Sequence, residues 1–161
     1  MSKKECCPKF NPKKWDEKTF SWKNKLFIKE SIPTFFHIPF PPMIGKKITN
    51  MSNLAEKSKK SLSKKDEILI LFNDPSAFKS VIYFSVTGKI ENANNVSISG
   101  TFIAKVFNGD YKDVPKFIKQ MNKYLKNKGK IAKDYYLHYA YCPTCVKKYG
   151  NNYVIIFAKV N

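Results

Sequence analysis

The chain has 161 residues, 43% of them apolar and 15% aromatic, enough for one packed domain and too apolar for wholesale disorder. All 30 cations are lysine, set against 12 carboxylates for a formal charge of +18; such a surface attracts polyanions but lacks the guanidinium fork that reads guanine edges. No apolar run reaches the roughly 20 residues of a membrane-spanning helix, and the opening MSKKECCPKF has no apolar signal core. Composition therefore points to a cytoplasmic protein with neither a membrane nor a specific nucleic-acid partner.

Residues 1–24 read as a polar, Lys- and Pro-rich lead-in carrying Cys6, Cys7, Trp15 and Trp22, too sparse in apolar residues for a regular element. From Lys25 the pattern becomes regular. The β-branched and aromatic stretch 26–38 predicts a strand with Pro33 at a bulge or edge. The prolines between 39 and 42 stop it. Ile44, Ile48, Met51, Leu54 and Ala55 then recur at helical spacing between Met43 and about Lys60. Ile68–Phe72 reads as a short strand, NDPS (73–76) as a turn and Ser80–Val86 as a further strand, followed by a loop over 87–95.

The same order then returns. Val96–Phe107 predicts a strand with Gly100 at a bulge, and Asp113 caps a helix whose stripe is Val114, Phe117, Ile118, Met121, Tyr124 and Leu125. Gly129 ends it, Tyr135–Tyr141 is an aromatic strand, and 152–160 is the closing strand after a turn containing Gly150. Shifting one half by 67 residues lays Met51 on Ile118, Leu54 on Met121 and Ile68–Phe72 on Tyr135–Tyr139. The repeat is one of pattern, and it predicts an α+β domain spanning 1–161. In it, two pseudo-symmetric βαββ repeats (25–90 and 96–161) form a mainly antiparallel curved sheet, with both helices on one face and a ligand cleft on the other.

The segment 98–141 resembles the GyrI-like small-molecule-binding domain, which also serves as the effector domain of multidrug-sensing regulators. The resemblance lies in the strand leading into Asn108-Gly109-Asp110-Tyr111, the helix ending at Gly129 and the Tyr-rich strand after it. CCPKF, the Trp15 and Trp22 segment and CPTCVKKYG (142–150) are similar to a stand-alone subgroup labelled as hydrolases. The resemblance implies an aromatic-lined cleft for hydrophobic, planar or cationic ligands. It also implies a likeness, for some stand-alone members, to enzymes that hydrolyse reactive cyclopropane-containing DNA-alkylating compounds. The regulators place a glutamate inside a Tyr-Glu-x-Tyr strand; here Leu137 holds that position, so a carboxylate meeting a cationic ligand is not expected there.

On the strand 135–141, Tyr135, Leu137, Tyr139 and Tyr141 share one face, and Tyr136, His138 and Ala140 the other. Several tyrosines on one face exceed what a packed core wants, since each buried hydroxyl needs a partner. With the family alignment placing Leu137 and Tyr139 in the cleft, Tyr135, Tyr139 and Tyr141 are expected to line it, with Phe36, Tyr83 and Trp22. The acid–base inventory is short. Glu30 and His37 are the candidate general bases for a hydrolase, His138 a further one, and no Ser-His-Asp order or HExxH spacing is present.

Four thiols form two pairs, Cys6-Cys7 and Cys142-x-x-Cys145, which suits a tetrahedral thiolate site for structural zinc if the lead-in folds back on the last hairpin. A reversible disulfide or four reduced thiols are the other readings. Two functions stay open from sequence: a small-molecule binder that hydrolyses an electrophile, and a non-catalytic sequestering or sensing module acting through a protein partner.

Overall fold

The computed structural model describes residues 7–35, 38–39, 41–76 and 78–161; the expectations for Cys6, Phe36 and His37 lie outside the described residues. The elements in order are β1 (Lys18–Phe35), β2 (Ile38–Pro39), α1 (Pro41–Lys57), β3 (Ile70–Ser76), β4 (Lys79–Ser85) and β5 (Asn95–Asn108), then α2 (Val114–Asn127), β6 (Asp134–Tyr139), α3 (Pro143–Tyr149) and β7 (Tyr153–Lys159). The fold is α+β, with the βαββ order occurring twice, as β1–α1–β3–β4 and β5–α2–β6–β7. The pairings within each repeat are antiparallel. The chain divides into two compact units, one Trp22–Ser99 and the other Met1–Ser21 with Gly100–Asn161.

In the unit Trp22–Ser99, β4 lies between β1 and β3, with Phe84 opposite both Ile28 and Ile70. Ile28, Ile32, Ile82 and Phe84 present one sheet face to Met51 and Ala55 of α1, and all six are buried. Burying each large side chain contributes roughly 1.5–3 kcal/mol as an upper estimate. Two prolines begin α1 rather than merely stopping the strand; a helix's first N–H groups have no intrahelical partner, so proline loses nothing there. Pro33 occupies the last rung of the β1–β4 ladder, opposite Lys79. The expected turn at 73–76 instead belongs to β3, which carries a register shift between Asn73 and Ser76.

In the other unit, β7 lies between β6 and β5, with Phe157 opposite both Tyr136 and Ala104. Ile103, Phe107, Val154, Ile156 and Ala158 form the face that receives Phe117, Met121 and Leu125 of α2. Phe107 and Phe117 stack at 4.9 Å between centroids. Gly129 turns the chain out of α2 at φ +67, where a side chain would be strained.

Two elements depart from the sequence reading. β1 begins at Lys18, eight residues before the expected strand. Its alternation is interrupted by Asn24, held at φ +51, so Phe20 and Trp22 run in one phase and Phe27 in the other. The short helix α3 fills what read as a turn. Seven residues with Cys145 as their buried member give no periodic stripe to detect.

Candidate functional site

The sheet faces turned away from the helices are where the fold leaves aromatic surface for other work. In the unit Trp22–Ser99 that face carries Phe27, Lys29, Val81, Tyr83 and Leu71, by strand register. Phe27 is fully buried and sits between two half-buried aromatic rings. Trp22 lies 6.2 Å away and Tyr83 meets it edge-on at 6.2 Å. The Lys25 ammonium stands 5.7 Å over the Trp22 ring, an internal cation on an aromatic surface. Burial pulls the Lys25 amine below its usual range, and the nearby Glu67 carboxylate opposes that shift. Tyr83 and Trp22, both expected as ligand contacts, thus stand together around Phe27, which sequence reasoning did not single out.

Glu30 points the other way. It shares a face with Ile28 and Ile32, on the α1 side of the sheet, and its carboxylate lies 3.5 Å from Lys47 of α1, both side chains being about two-fifths exposed (41% and 38%). A small polar recess of 120 Å³ opens there, lined by Glu30, Lys47, Asn50, Asn92 and Asn94. The expected general base is therefore an ion-paired residue on the face opposite Tyr83.

The tyrosine strand is turned over relative to expectation. Tyr135, Leu137 and Tyr139 pack on the α2 side, against the cluster of Met121, Leu125 and Ile156, and the Tyr135 hydroxyl pairs with Asn122 of α2. Burial raises the Tyr135 phenol above its ordinary value. Tyr136 and His138 take the other face, with Phe102 meeting Tyr136 edge-on at 5.9 Å and Phe157 opposite Tyr136 in register. The reason is local: both faces of β6 carry aromatic side chains, so alternation pairs the residues without saying which set faces the helix. Tyr141 lies beyond the strand, buried, stacked on Tyr149 at 4.7 Å and near Tyr153.

The lead-in packs against the same unit. Trp15 is 8% exposed and meets Phe157 edge-on at 6.0 Å, with Phe20 against both rings. Asp16 accepts the Val106 amide of β5 at 3.0 Å, and Lys105 draws in Glu17 at 3.3 Å. Nearer the start, the Phe10 amide donates to the Tyr141 hydroxyl at 2.8 Å, and its ring lies 5.2 Å from Tyr153. Trp15 thus pins the lead-in to its unit.

Cys7, Cys142 and Cys145 come together at that end, their sulfur atoms all within 4.8 Å of one another. Cys142 precedes α3 in extended conformation and Cys145 lies in its first turn, so the CPTC spacing turns both thiols to one side. The Cys142 amide donates to the Cys7 sulfur at 3.3 Å, and none of the three is in a disulfide. Burial, reinforced by the neighbouring thiols, pushes the Cys7 thiol far above its usual range. The three thiols lie close enough to share one metal ion.

The elements, their order and the aromatic sheet faces define a GyrI-like fold. A profile of the bacterial hydrolase family matches residues 1–160, and the chain belongs to that family. No curated protein matches the sequence. Among solved structures, the chain is similar to the EcmrR C-terminal domain, at 11% identity and a TM-score of 0.65, covering 89% of this chain and 94% of that one. It is similar to a hydrolase from Listeria innocua, at 9% identity and a TM-score of 0.63, over 91% of this chain and 93% of the other. SAV2435 bound to tetraphenylphosphonium is similar at 13% identity and a TM-score of 0.56, over 89% and 93%. Among the described residues, no helix is long and apolar enough to cross a membrane.

Proposed function

We propose that the protein is a cytoplasmic GyrI-like domain of the subgroup with CCP near its start and CPxC near its end. In this reading it binds hydrophobic, planar or cationic small molecules and hydrolyses a reactive electrophile among them. The observation that carries the binding part is the Trp22–Phe27–Tyr83 array, in which register places Phe27 and Tyr83 on the sheet face away from α1 and Trp22 packs against Phe27. Two half-buried rings flanking a buried one offer π surface to a planar or cationic ligand, and Lys25 already uses it so. A phosphonium-bound structure of the same fold supports that ligand class.

Membership in the hydrolase family supports the catalytic part. Of the acid–base groups, His138 has the better position: it shares with Tyr136 the face away from α2, where an imidazole can accept a proton from water and a phenol can polarise the leaving atom. Glu30, tied to Lys47 on the α1 side, favours the second reading, a non-catalytic sequestering or sensing module that signals through a protein partner. Incubation with hydrophobic planar cations and strained-ring electrophiles, followed by mass analysis, separates the two. A ligand returned with one water added establishes the hydrolase. A ligand retained unchanged establishes the binding module, and retention of nothing overturns both.

Zinc enters this reading as a structural constituent held by Cys7, Cys142 and Cys145, with Cys6 or a water as the fourth ligand. The chemistry of the donors supports it. Tetrahedral zinc with sulfur at about 2.3 Å sets its sulfurs about 3.8 Å apart, so a cluster within 4.8 Å needs to contract by about an ångström at most. A disulfide could join only two of these three thiols, whereas one metal ion uses all of them.

A further inference from the structure

We infer that the cysteine cluster is a metal-dependent clasp on the segment 7–17, and that the clasped segment covers aromatic surface on the unit Met1–Ser21 with Gly100–Asn161. This rests on the zinc reading and adds what the metal does.

Among the described residues, the segment 7–17 lies outside the strands and meets the rest of its unit through side-chain contacts. Its backbone bonds are local: the Lys14, Trp15 and Asp16 amides donate to Asn11 and Pro12 carbonyls, and the Lys13 amide to the Asn11 side chain. Among the described residues, what fixes it to the rest of its unit includes the Cys7 sulfur at Cys142, the Phe10 amide on the Tyr141 hydroxyl and its ring on Tyr153, the Trp15 ring on Phe157, the Asp16 carboxylate on Val106 and the Glu17 carboxylate on Lys105. Such contacts open at low cost compared with a strand ladder. Charge works against closure as well. Residues 7–18 carry Lys9, Lys13, Lys14 and Lys18 against Asp16 and Glu17, on a chain of net charge +18.

Metal binding answers both weaknesses. Cys7 stands 135 residues from Cys142, so one ion held by both converts a side-chain contact into a cross-link between the lead-in and the β6–α3 turn. A divalent ion on three thiolates carries net negative charge, which complements the lysines of the segment and Lys147 and Lys148 of α3. The binding energy of a thiolate metal site then appears as order in the segment that supplies one of its ligands. With the clasp closed, Trp15 covers Phe157, the ring that lies opposite Tyr136 on the face away from α2. Metal release would free the Trp15 side of that ring, while Phe20 stays on it within β1, so the metal state governs access to the face that carries His138.

The test uses the full chain with zinc, with cobalt as a spectroscopic stand-in, and with a thiol-compatible high-affinity chelator. Metal content and the cobalt–thiolate charge-transfer band report occupancy. Hydrogen exchange at the Phe10 amide and tryptic cleavage after Lys13 and Lys14 report the segment. The expected result is about one metal per chain, with exchange and cleavage accelerating about tenfold or more on stripping and returning to the protected rate on reloading. Cys142→Ser is expected to show the fast rates without chelator and to be unresponsive to zinc. Absence of a cobalt–thiolate band overturns the metal reading and the clasp together. Full occupancy with unchanged segment rates after stripping overturns the clasp alone. Since stripping is done on the wild-type chain, the outcome does not depend on whether the variant folds.

Discussion

Glu30 lies 3.5 Å from Lys47, joining β1 to α1 on the helix side of the sheet. The β1–β4 register and the buried Ile28 and Ile32 set the phase of β1, placing Phe27 on the far side with Tyr83. Because both partners are about two-fifths exposed, the pair contributes little to stability. Glu30→Gln is expected to change folding stability by less than about 1 kcal/mol, and to leave turnover and ligand affinity as they were. Denaturant titration and ligand titration check both, and a large loss of turnover with intact folding would return Glu30 to the catalytic role that the sequence suggested.

The aromatic faces make a contrasting pair of predictions. Tyr83→Leu removes π surface from the array around Phe27 and is expected to weaken tetraphenylphosphonium binding about fivefold, the effect of roughly 1 kcal/mol of cation–π attraction. Tyr139→Phe, on the α2 side, is expected to leave that affinity unchanged. Calorimetric titration of both variants decides the matter, and the reverse order of effects would show that the ligand uses the α2 side.

Tyr141 holds the lead-in through its hydroxyl and the α3 region through its ring. Tyr141→Phe keeps the stack on Tyr149 and removes the acceptor of the Phe10 amide, an expected cost of about 1 kcal/mol. Tyr141→Ala also empties a buried site, for about 3 kcal/mol or more. Urea unfolding followed by tryptophan fluorescence measures both; equal losses in the two variants would mean that the ring packing contributes nothing.

The helices and the double βαββ order could be read from the sequence because their signals are redundant. Met51 and Ala55, and again Phe117, Met121 and Leu125, are buried at helical spacing, and each stripe has one apolar side to hide. The strands were legible as segments and less so as surfaces. β6 carries aromatic rings on both faces, so its alternation separated Tyr135 and Tyr139 from Tyr136 and His138 without saying which set meets α2. The start of β1 was hidden by the left-handed Asn24, which breaks the alternation between Trp22 and Phe27. The cysteine spacing showed in the sequence that Cys142 and Cys145 could share a ligand. That Cys7 joins them depends on how the lead-in packs through Phe10 and Trp15, contacts between residues more than 130 positions apart.

Two glycines separate conformational need from helix propensity. Gly100 lies at φ +146, and a Cβ there would approach the Asn161 carbonyl oxygen to 2.7 Å. Gly100→Ala is expected to destabilise by about 1–3 kcal/mol, because neither the backbone conformation nor the space suits a side chain. Gly45 sits inside α1 with open space around the position of its missing Cβ. Gly45→Ala is expected to stabilise by about 0.5–1 kcal/mol, through helix propensity and a less flexible unfolded chain. Thermal unfolding of the two variants should therefore move in opposite directions from the wild type.

Lys25 ties stability to pH. Its folded-state pKa is lowered, chiefly by burial and against the pull of Glu67, so between that value and the unfolded value of 10.5 the unfolded chain holds more protons than the folded one. Stability from this residue accordingly rises with pH through the alkaline window below 10.5, and is lost as pH falls through the folded pKa. Lys25→Met keeps the apolar stem against Trp22 and removes the titrating amine. Subtracting the variant's stability profile from that of the wild type cancels the other lysines, and the difference is expected to climb in favour of the wild type as pH approaches 10.5. A flat difference would mean that the cation over the Trp22 ring recovers in attraction what burial takes from the amine.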